Sequence, residues 1–350
     1  MTFKSKIKLD DQIEFAKNLS VLLSGGVSID EAINSLAKQA RSKTLKTTLY
    51  DISSRLQKGV SLYSAMTESE NTFGTVVVSL VRAGELSGSL PENLKFLADW
   101  LSRDSSLRKE ISSVTLYPKL VISATGLLGG GLAVFILPKL VPMFVGLHVQ
   151  LPGITQFILN LSVFLQAYWP YILVGIIALF IGFKVLKRVP AFKYMIDRMT
   201  IITPFAGEMI RDYQIALFSQ LMATLLKSGL TVDESLDISY VGTTNLYYRQ
   251  ALSEMKGRLL NGVSLIETVK LYPRLYTANF TNLLAVGEGS GSLQESFANL
   301  AEYYTKEISI KTKRLPVVIE PVLLVVIGIA VATLALAIIL PIYKLTGSLG

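Results

Sequence analysis

The sequence contains no cysteine and a single histidine, His148. The lack of cysteine excludes disulfides and thiolate metal sites, and one histidine excludes His-rich zinc sites and most catalytic arrangements built on histidine. The phosphate-binding Gly-Lys-Ser/Thr loop and the Gly-x-Ser-x-Gly nucleophile elbow are also missing. We therefore expect no enzyme, no cofactor and no nucleotide-driven motor in this chain.

Charged residues are scarce at 17%, whereas 51% of the residues are hydrophobic and the mean hydropathy is +0.47. This composition is too apolar for an ordinary soluble protein. Three runs, at about 116–137, 168–186 and 318–340, are long enough to cross a bilayer, which takes about 20 helical residues. The first fifteen residues have no long apolar core, so we expect no cleaved signal peptide.

Lysine and arginine cluster on one side of each predicted span, which indicates its orientation. Basic residues precede the first and third spans and follow the second. By contrast, Lys139 is the single basic residue of segment 139–167, and Lys344 is the single basic residue of segment 342–350. We expect a cytoplasmic N-terminus and a cytoplasmic connection over 187–217. The segment over 139–167, with His148 as a solvated loop residue, and the C-terminal tail are expected outside. Anionic lipid at these membrane borders explains the net charge of +8, so no nucleic acid partner is predicted.

The chain contains a duplication without gaps. Shifted by 203 positions, residues 15–138 align with residues 218–341 at about thirty identities, after a short N-terminal segment over 1–14. Each copy ends in a predicted span, and the separate span over 168–186 makes the two copies parallel. Many secondary transporters instead contain inverted repeats. The sequence therefore does not support an inverted repeat around a midplane substrate site.

Apolar residues in each copy recur at spacings of three and four, which predicts helices. Hydroxyl residues followed three positions later by glutamate are typical of capping boxes at helix N-termini. These pairs are Ser28–Glu31, Ser89–Glu92, Thr231–Glu234, Ser264–Glu267 and Ser292–Glu295. Glycines just before the caps can end the preceding helix in a left-handed turn; they are Gly26, Gly88, Gly229 and Gly291. Each copy is therefore predicted to be a bundle of about six short helices.

Two glycine-rich turns, AGELSGSL from Ala83 and GEGSGSL from Gly287, invite a nucleotide-binding interpretation. A dinucleotide fingerprint needs a preceding strand, whereas here a helix precedes, so we predict a helix–turn–helix. Glu85 and Glu288 leave two alternatives open: a carboxylate just before a helix, where it favours the positive N-terminal end of that helix, or a ligand for a metal or partner. No oxygen-ligand cluster resembling an EF-hand loop is visible, so no metal is predicted.

Three residues of the predicted spans are candidate contact positions. Glu320 lies at the start of the third span, where it either engages the N-terminus of a partner or a neighbouring helix, or caps its own helix in the headgroup layer. Gly126 and Gly130 in the first span have the Gly-x-x-x-Gly spacing that lets helices approach closely. Glycine is also common in membrane helices generally, so both interpretations stay open.

The combination of motifs resembles the F-domain family of type II secretion systems, which includes the platform proteins of type IV pili. The matching segments are FSQLMATLLKSGLTVDESL from Phe218, the Gly-x-Ser-Leu segments at Gly59 and Gly262, the two glycine–glutamate turns, and IEPVLLVVIGIAVATLALAIILPIY from Ile319. The predicted fold is an all-α integral membrane protein. It has two tandem helical-bundle cytoplasmic domains, each followed by a transmembrane helix, and three transmembrane helices in all.

The resemblance implies a non-enzymatic platform in the bacterial cytoplasmic (inner) membrane. Its expected partners are a cytoplasmic assembly ATPase, pilin or pseudopilin subunits, other inner-membrane assembly proteins and further copies of itself. A small membrane transporter or channel subunit is the alternative. A transporter would be expected to place polar residues deep in several spans, whereas these spans are nearly all apolar.

Overall fold

The computed structural model describes residues 6–132, 135, 139, 153–187, 189–204 and 206–348. All regular secondary structure among these residues is helical, which confirms the predicted all-α class. The chain divides into two units. The first comprises Met1–Lys109 with Lys193–Ser309, and the second comprises Glu110–Phe192 with Ile310–Gly350.

The first copy supplies eight described helices. They are α1 Leu9–Ser24, α2 Ile29–Gln39, α3 Lys43–Leu56, α4 Leu62–Thr67, α5 Glu70–Phe73, α6 Thr75–Leu86, α7 Leu90–Val114 and α8 Leu116–Gly131. Two helices stand between the copies, α9 Gly153–Leu186 and α10 Pro190–Ile202.

The second copy repeats the order of α1 to α4, α6 and α7, but it has no described counterpart of α5, and one continuous helix takes the place of α7 and α8. Its helices are α11 Ala206–Lys227, α12 Val232–Gly242, α13 Leu246–Leu260, α14 Leu265–Val269, α15 Ala278–Ser290 and α16 Leu293–Ser348. Helices α12 to α16 begin 203 residues after α2, α3, α4, α6 and α7. The register found in the sequence therefore persists in the three-dimensional structure.

Local sequence signals account for the helix ends. Gly26, Gly88, Gly229 and Gly291 adopt positive φ angles between 70° and 86°, a conformation that costs a residue with a Cβ atom. Ser28, Thr231 and Ser264 accept hydrogen bonds from the backbone N–H three residues on, and Thr231 with Glu234 forms a complete capping box. The hydroxyls of Ser89 and Ser292 lie 2.6 and 2.7 Å from those of Ser87 and Ser290.

The buried cores of the two bundles differ in composition. The first is largely aliphatic, built around residues such as Leu19, Ile33 and Leu49, and it also takes in Leu221 and Leu225 from α11. The second contains an aromatic cluster, in which Phe218, Tyr248, Tyr276, Phe280 and Phe297 are buried with ring centroids 4.8 to 6.4 Å apart. The shared leucines join the two bundles into one unit.

Three helical segments are long and apolar enough to cross a membrane, as the sequence predicted. They lie within Leu90–Gly131, Asn160–Leu186 and Leu293–Thr333. Three such segments in one chain are the pattern of a multi-pass membrane protein.

The second membrane helix starts earlier than the sequence suggested. The apolar run predicts a span that starts at about Tyr168. Helix α9 instead begins at Gly153 and contains Pro170 in its interior. Membrane helices tolerate an internal proline because neighbouring groups satisfy the freed carbonyl. Residues 140–152 of the predicted connection, including His148, lie outside the described residues.

The ends of the other two spans also differ in extent from the predicted ranges. Helix α8 is described to Gly131, and most of residues 132–137 lie outside the described part of the chain. Helix α16 continues to Ser348, through most of the segment predicted as a tail over 342–350. An apolar run marks the membrane-crossing part of a helix, but the backbone hydrogen bonding of that helix extends beyond it.

Candidate functional site

The carboxylate of Glu85 caps helix α4. Its two oxygens accept hydrogen bonds from the backbone N–H groups of Leu62 and Tyr63, each at 2.9 Å. The hydroxyl of Ser61 accepts a third bond from the N–H of Ser64 at 3.2 Å. The first N–H groups of a helix have no intrahelical partner, so these two side chains complete the first turn of α4.

Glu288 does the same for helix α14. Its oxygens accept from the N–H groups of Leu265 and Ile266 at 2.7 and 3.0 Å, and Ser264 accepts from Glu267 at 3.3 Å. In both copies the carboxylate also places negative charge at the positive end of a helix dipole. Each carboxylate thus lies at a helix N-terminus, but at that of a helix that begins 23 residues earlier and not at that of the helix after the turn, as the sequence had suggested.

The glycine before each glutamate is required for space. A Cβ atom on Gly84 would lie 2.9 Å from both Asn93 Cβ and Leu90 Cα, and one on Gly287 would lie 2.5 Å from Ser296 Cβ. Such contacts are shorter than real Cβ atoms allow. The glycine therefore lets the two helices of the turn cross closely, and the next residue projects its carboxylate towards the short helix.

The Gly-x-Ser-Leu segments and the glycine–glutamate turns are thus two halves of one structural device. The sequence analysis identified them as separate motifs. The sequence nevertheless contains a sign that the two motifs belong together, because the capped leucine and the glutamate are 23 residues apart in both copies.

Within the first unit, helix α6 of the first copy packs against helix α12 of the second. Gly242 lies at this contact, and a Cβ atom there would come within 2.6 Å of Val76 Cγ2. Lys227 adds a cation–π contact, with its Nζ 5.1 Å from the centroid of the Phe96 ring. The two bundles therefore meet through a close helix–helix contact that depends on a small residue.

A polar cluster centred on the buried Asp104 joins the bundles beside this contact. Asp104 Oδ1 accepts from the Tyr213 hydroxyl at 2.5 Å and from Arg108 Nε at 2.7 Å, and the Asp104 side chain is only 6% exposed. Burial, and then the charge of Asp104, raise the pKa of Tyr213 well above its ordinary value. The hydrogen bond to Asp104 raises the pKa of Arg108. No sequence signal marks this cluster, since Asp104 and Tyr213 are 109 residues apart and belong to no motif.

The candidate positions in the predicted spans make few contacts within the described part of the chain. Glu320 is exposed in the interior of α16, so it does not cap that helix and this part of our expectation is wrong. Helix α16 begins at Leu293, well before the apolar run at about 318 whose beginning had suggested the start of a helix. Gly126 and Gly130 lie one turn apart in α8, and a Cβ atom at either would have nothing within 4 Å. Their use by another helix stays a prediction.

The family model described as "Type II secretion system (T2SS), protein F" matches the chain twice, over residues 15–138 and 218–341. The chain is 27% identical over 349 residues to the type IV pilus assembly protein PilC of Pseudomonas aeruginosa, covering 99% of this chain and 92% of that protein. It is 28% identical over 345 residues to PilC of Thermus thermophilus, covering 97% and 84%.

A relative named for a different machine matches over a similar extent. The type II secretion system protein F of Pseudomonas aeruginosa is 25% identical over 350 residues, which covers 100% of this chain and 86% of that protein. The family model accounts for more than half of the chain, and it matches the two copies that the structure builds with the same helix order. The chain belongs to the type II secretion system (T2SS), protein F, family.

Proposed function

We propose that this protein is a non-enzymatic inner-membrane platform for the assembly of a type IV pilus or a type II secretion pseudopilus. The observation that carries the proposal is similarity along 97–100% of the chain to proteins named for these two machines. Because the match includes both bundles and all three membrane segments, the resemblance extends beyond one shared domain. The two machine types match at similar identity, so the proposal covers both.

The proposed platform couples a separate cytoplasmic assembly ATPase to the movement of pilin or pseudopilin subunits out of the membrane. The sequence has no phosphate-binding loop of its own, so the energy has to come from a partner. The distribution of lysine and arginine supports two cytoplasmic bundles and an extracytoplasmic C-terminus. Other inner-membrane assembly proteins and further copies of this chain complete the proposed set of partners.

The hydrogen bonds that its buried and half-buried carboxylates make within the protein support a role without catalysis. Glu85 and Glu288 each bind two backbone N–H groups, and Asp104 binds a tyrosine and an arginine. A general acid or base needs to reach a substrate proton. These carboxylates instead hold helices and bundles together, which is the work of a scaffold.

Deletion of the gene followed by complementation tests the proposal. The deletion should abolish filament assembly or secretion, and the wild-type gene should restore it. Purified protein should bind the assembly ATPase and the pilin in crosslinking experiments, without hydrolysing ATP. Normal filaments after deletion, or ATP hydrolysis by the isolated chain, would contradict the platform role. Transport of a small solute by the purified protein in vesicles would favour the transporter alternative.

A further inference from the structure

Helix α10 carries an apolar stripe that remains exposed. Met195, Met199 and Ile202 are 48%, 63% and 58% exposed. Their spacing of four and three residues places them on one face of a helix with 3.6 residues per turn. The helix is therefore amphipathic, with its apolar face directed away from the bundle.

The opposite face of α10 is fixed to the second bundle. The Asp197 carboxylate accepts from the backbone N–H of Leu246 at 2.7 Å, at the start of α13. Lys193 Nζ donates to the Thr244 carbonyl at 2.8 Å, and the ring of Tyr194 packs edge-on against that of Tyr247 at 5.9 Å. These contacts set the rotation of α10, so the stripe cannot turn inward.

Among the other described residues of the first unit, exposed apolar side chains do not form such a stripe. Val21, Leu86 and Val286 are each the one exposed large apolar residue of their helices, α1, α6 and α15. Single apolar residues on a surface are normal and need no partner. Three on successive turns of one short helix indicate a surface that something covers.

We propose that α10 lies on the membrane surface, with Met195, Met199 and Ile202 inserted at the boundary between headgroups and acyl chains. Helix α9 is a candidate membrane span that ends at Leu186, and α10 begins at Pro190. A stretch of four residues reaches at most about 14 Å, so the chain itself keeps the start of α10 close to the bilayer. Amphipathic helices with one apolar face are typical of this interfacial position.

The charges around the stripe favour an anionic lipid surface. Residues 184–202 contain five basic residues and one acidic residue, Asp197, whose carboxylate faces α13. Basic residues next to a membrane are attracted to anionic headgroups. Arg198 borders the stripe and stays exposed while its guanidinium lies 6.0 Å from the centroid of the Tyr247 ring. A second copy docking face to face would bring two such arginines together, so the charge pattern favours lipid over self-association.

A fluorescent label in the stripe tests this proposal. Because the chain has no cysteine, Met199→Cys introduces a single thiol for an environment-sensitive fluorophore. The matched control is Val286→Cys in α15, where the native side chain is 67% exposed. Full-length protein is placed at one copy per nanodisc in phosphatidylethanolamine and phosphatidylglycerol. We expect blue-shifted emission from position 199, quenching by a shallow doxyl-labelled phospholipid and protection from aqueous iodide. The label at position 286 should instead emit at longer wavelength, be quenched by aqueous iodide and be unaffected by the doxyl-labelled lipid.

A second label and a lipid series make the outcome decisive. Met195→Cys should behave like Met199→Cys, and replacing phosphatidylglycerol with phosphatidylcholine should weaken doxyl quenching at both positions. Equal iodide quenching at positions 195, 199 and 286 would overturn the proposal. Protection that appears only with several copies per disc would also overturn it, since it would assign the stripe to contacts between chains.

Discussion

Replacing Glu85 with alanine should destabilise helix α4 and expose the residues that it buries. The substitution removes the acceptor of two backbone N–H groups, those of Leu62 and Tyr63, whose bonds measure 2.9 Å. Leu62 itself is fully buried, so its N–H has poor access to replacement water. An unsatisfied donor in such a position loses more than the net value of an ordinary hydrogen bond.

The size of the effect follows from these two bonds. A hydrogen bond to a charged group contributes about 1.5–3 kcal/mol, and the partial exposure of Glu85 argues for the lower end. Two bonds then give about 3 kcal/mol for Glu85→Ala. At 1.4 kcal/mol per factor of ten, this corresponds to an increase of about a hundredfold in the equilibrium constant for local opening. Glu85→Gln keeps one acceptor oxygen and should cost about half as much.

Thiol labelling measures this opening in the full-length protein. Met66 lies in α4 with no exposed surface, and Met66→Cys would be the only cysteine of the chain. When closing is faster than labelling, the maleimide reaction rate is proportional to the opening constant. Glu85→Ala in this background should accelerate labelling by about a hundredfold. Glu288→Ala with Val269→Cys should give a similar acceleration in the second copy.

Glu92→Ala provides the matched control. Glu92 is an exposed acid in the first turn of α7, where the helix dipole contributes about 0.3–1 kcal/mol. Its removal should therefore change Met66→Cys labelling only a few-fold. If Glu85→Ala left the labelling rate unchanged, the carboxylate would not be holding the helix, and the role assigned to Glu85 would be wrong.

Three further outcomes follow from the structure and the proposed topology. Gly242→Val should clash with Val76 and cost about 1–3 kcal/mol of overpacking, measured as earlier thermal unfolding of the purified protein. Tyr213→Phe should cost about 1–2 kcal/mol at neutral pH by removing a hydrogen bond to Asp104. Burial holds the pKa of Tyr213 above its ordinary value near 10, so its contribution to stability is complete below pH 10 and falls as the pH rises further. Alkaline unfolding curves should accordingly be less steep for Tyr213→Phe, and an unchanged slope would contradict this. An alkaline phosphatase fused after Gly350 should be active, and activity of a cytoplasmic reporter at that site would reverse the proposed orientation.

Local chemistry made much of the fold predictable. Serine and threonine caps, glycines with positive φ angles and apolar spacing located most helices of both copies, because each of these signals acts within a few residues. The duplication then transferred each assignment to the other copy. Helix α9 starts before the predicted span over 168–186, because the apolar run marks only part of the helix and Pro170 does not interrupt it.

Contacts between distant segments set the limit of prediction at the candidate site. The sequence singled out Glu85 and Glu288 but not their partners, since a hydrogen bond across 23 residues depends on how the helices pack. Asp104 and Tyr213 gave no signal at all, because a buried pair across 109 residues has no local spacing rule. The stripe on α10 lay in a segment treated as a connection, where helical periodicity was not considered.

The contact between α6 and α12 shows how the two copies have diverged. The register of 203 residues makes α2 the equivalent of α12, and α15 the equivalent of α6. The equivalent of Gly242 is the exposed Gln39, and the equivalent of Val76 is the exposed Asn279. A side chain at position 242 would clash with Val76, so a glutamine in that place cannot reproduce the close approach.

Because of this divergence, only one of the two possible helix pairings between the copies can form. If both copies had kept the same surfaces, each α6-type helix could pair with an α2-type helix of another chain, and the contact could repeat without closing. Gln39 and Asn279 place polar, water-exposed side chains where that repeated contact would need a small residue and an apolar one. Desolvating them without the same packing would be unfavourable, which is how proteins disfavour an unwanted pairing. The close contact is therefore specific to α6 with α12, and α2 with α15 cannot reproduce it.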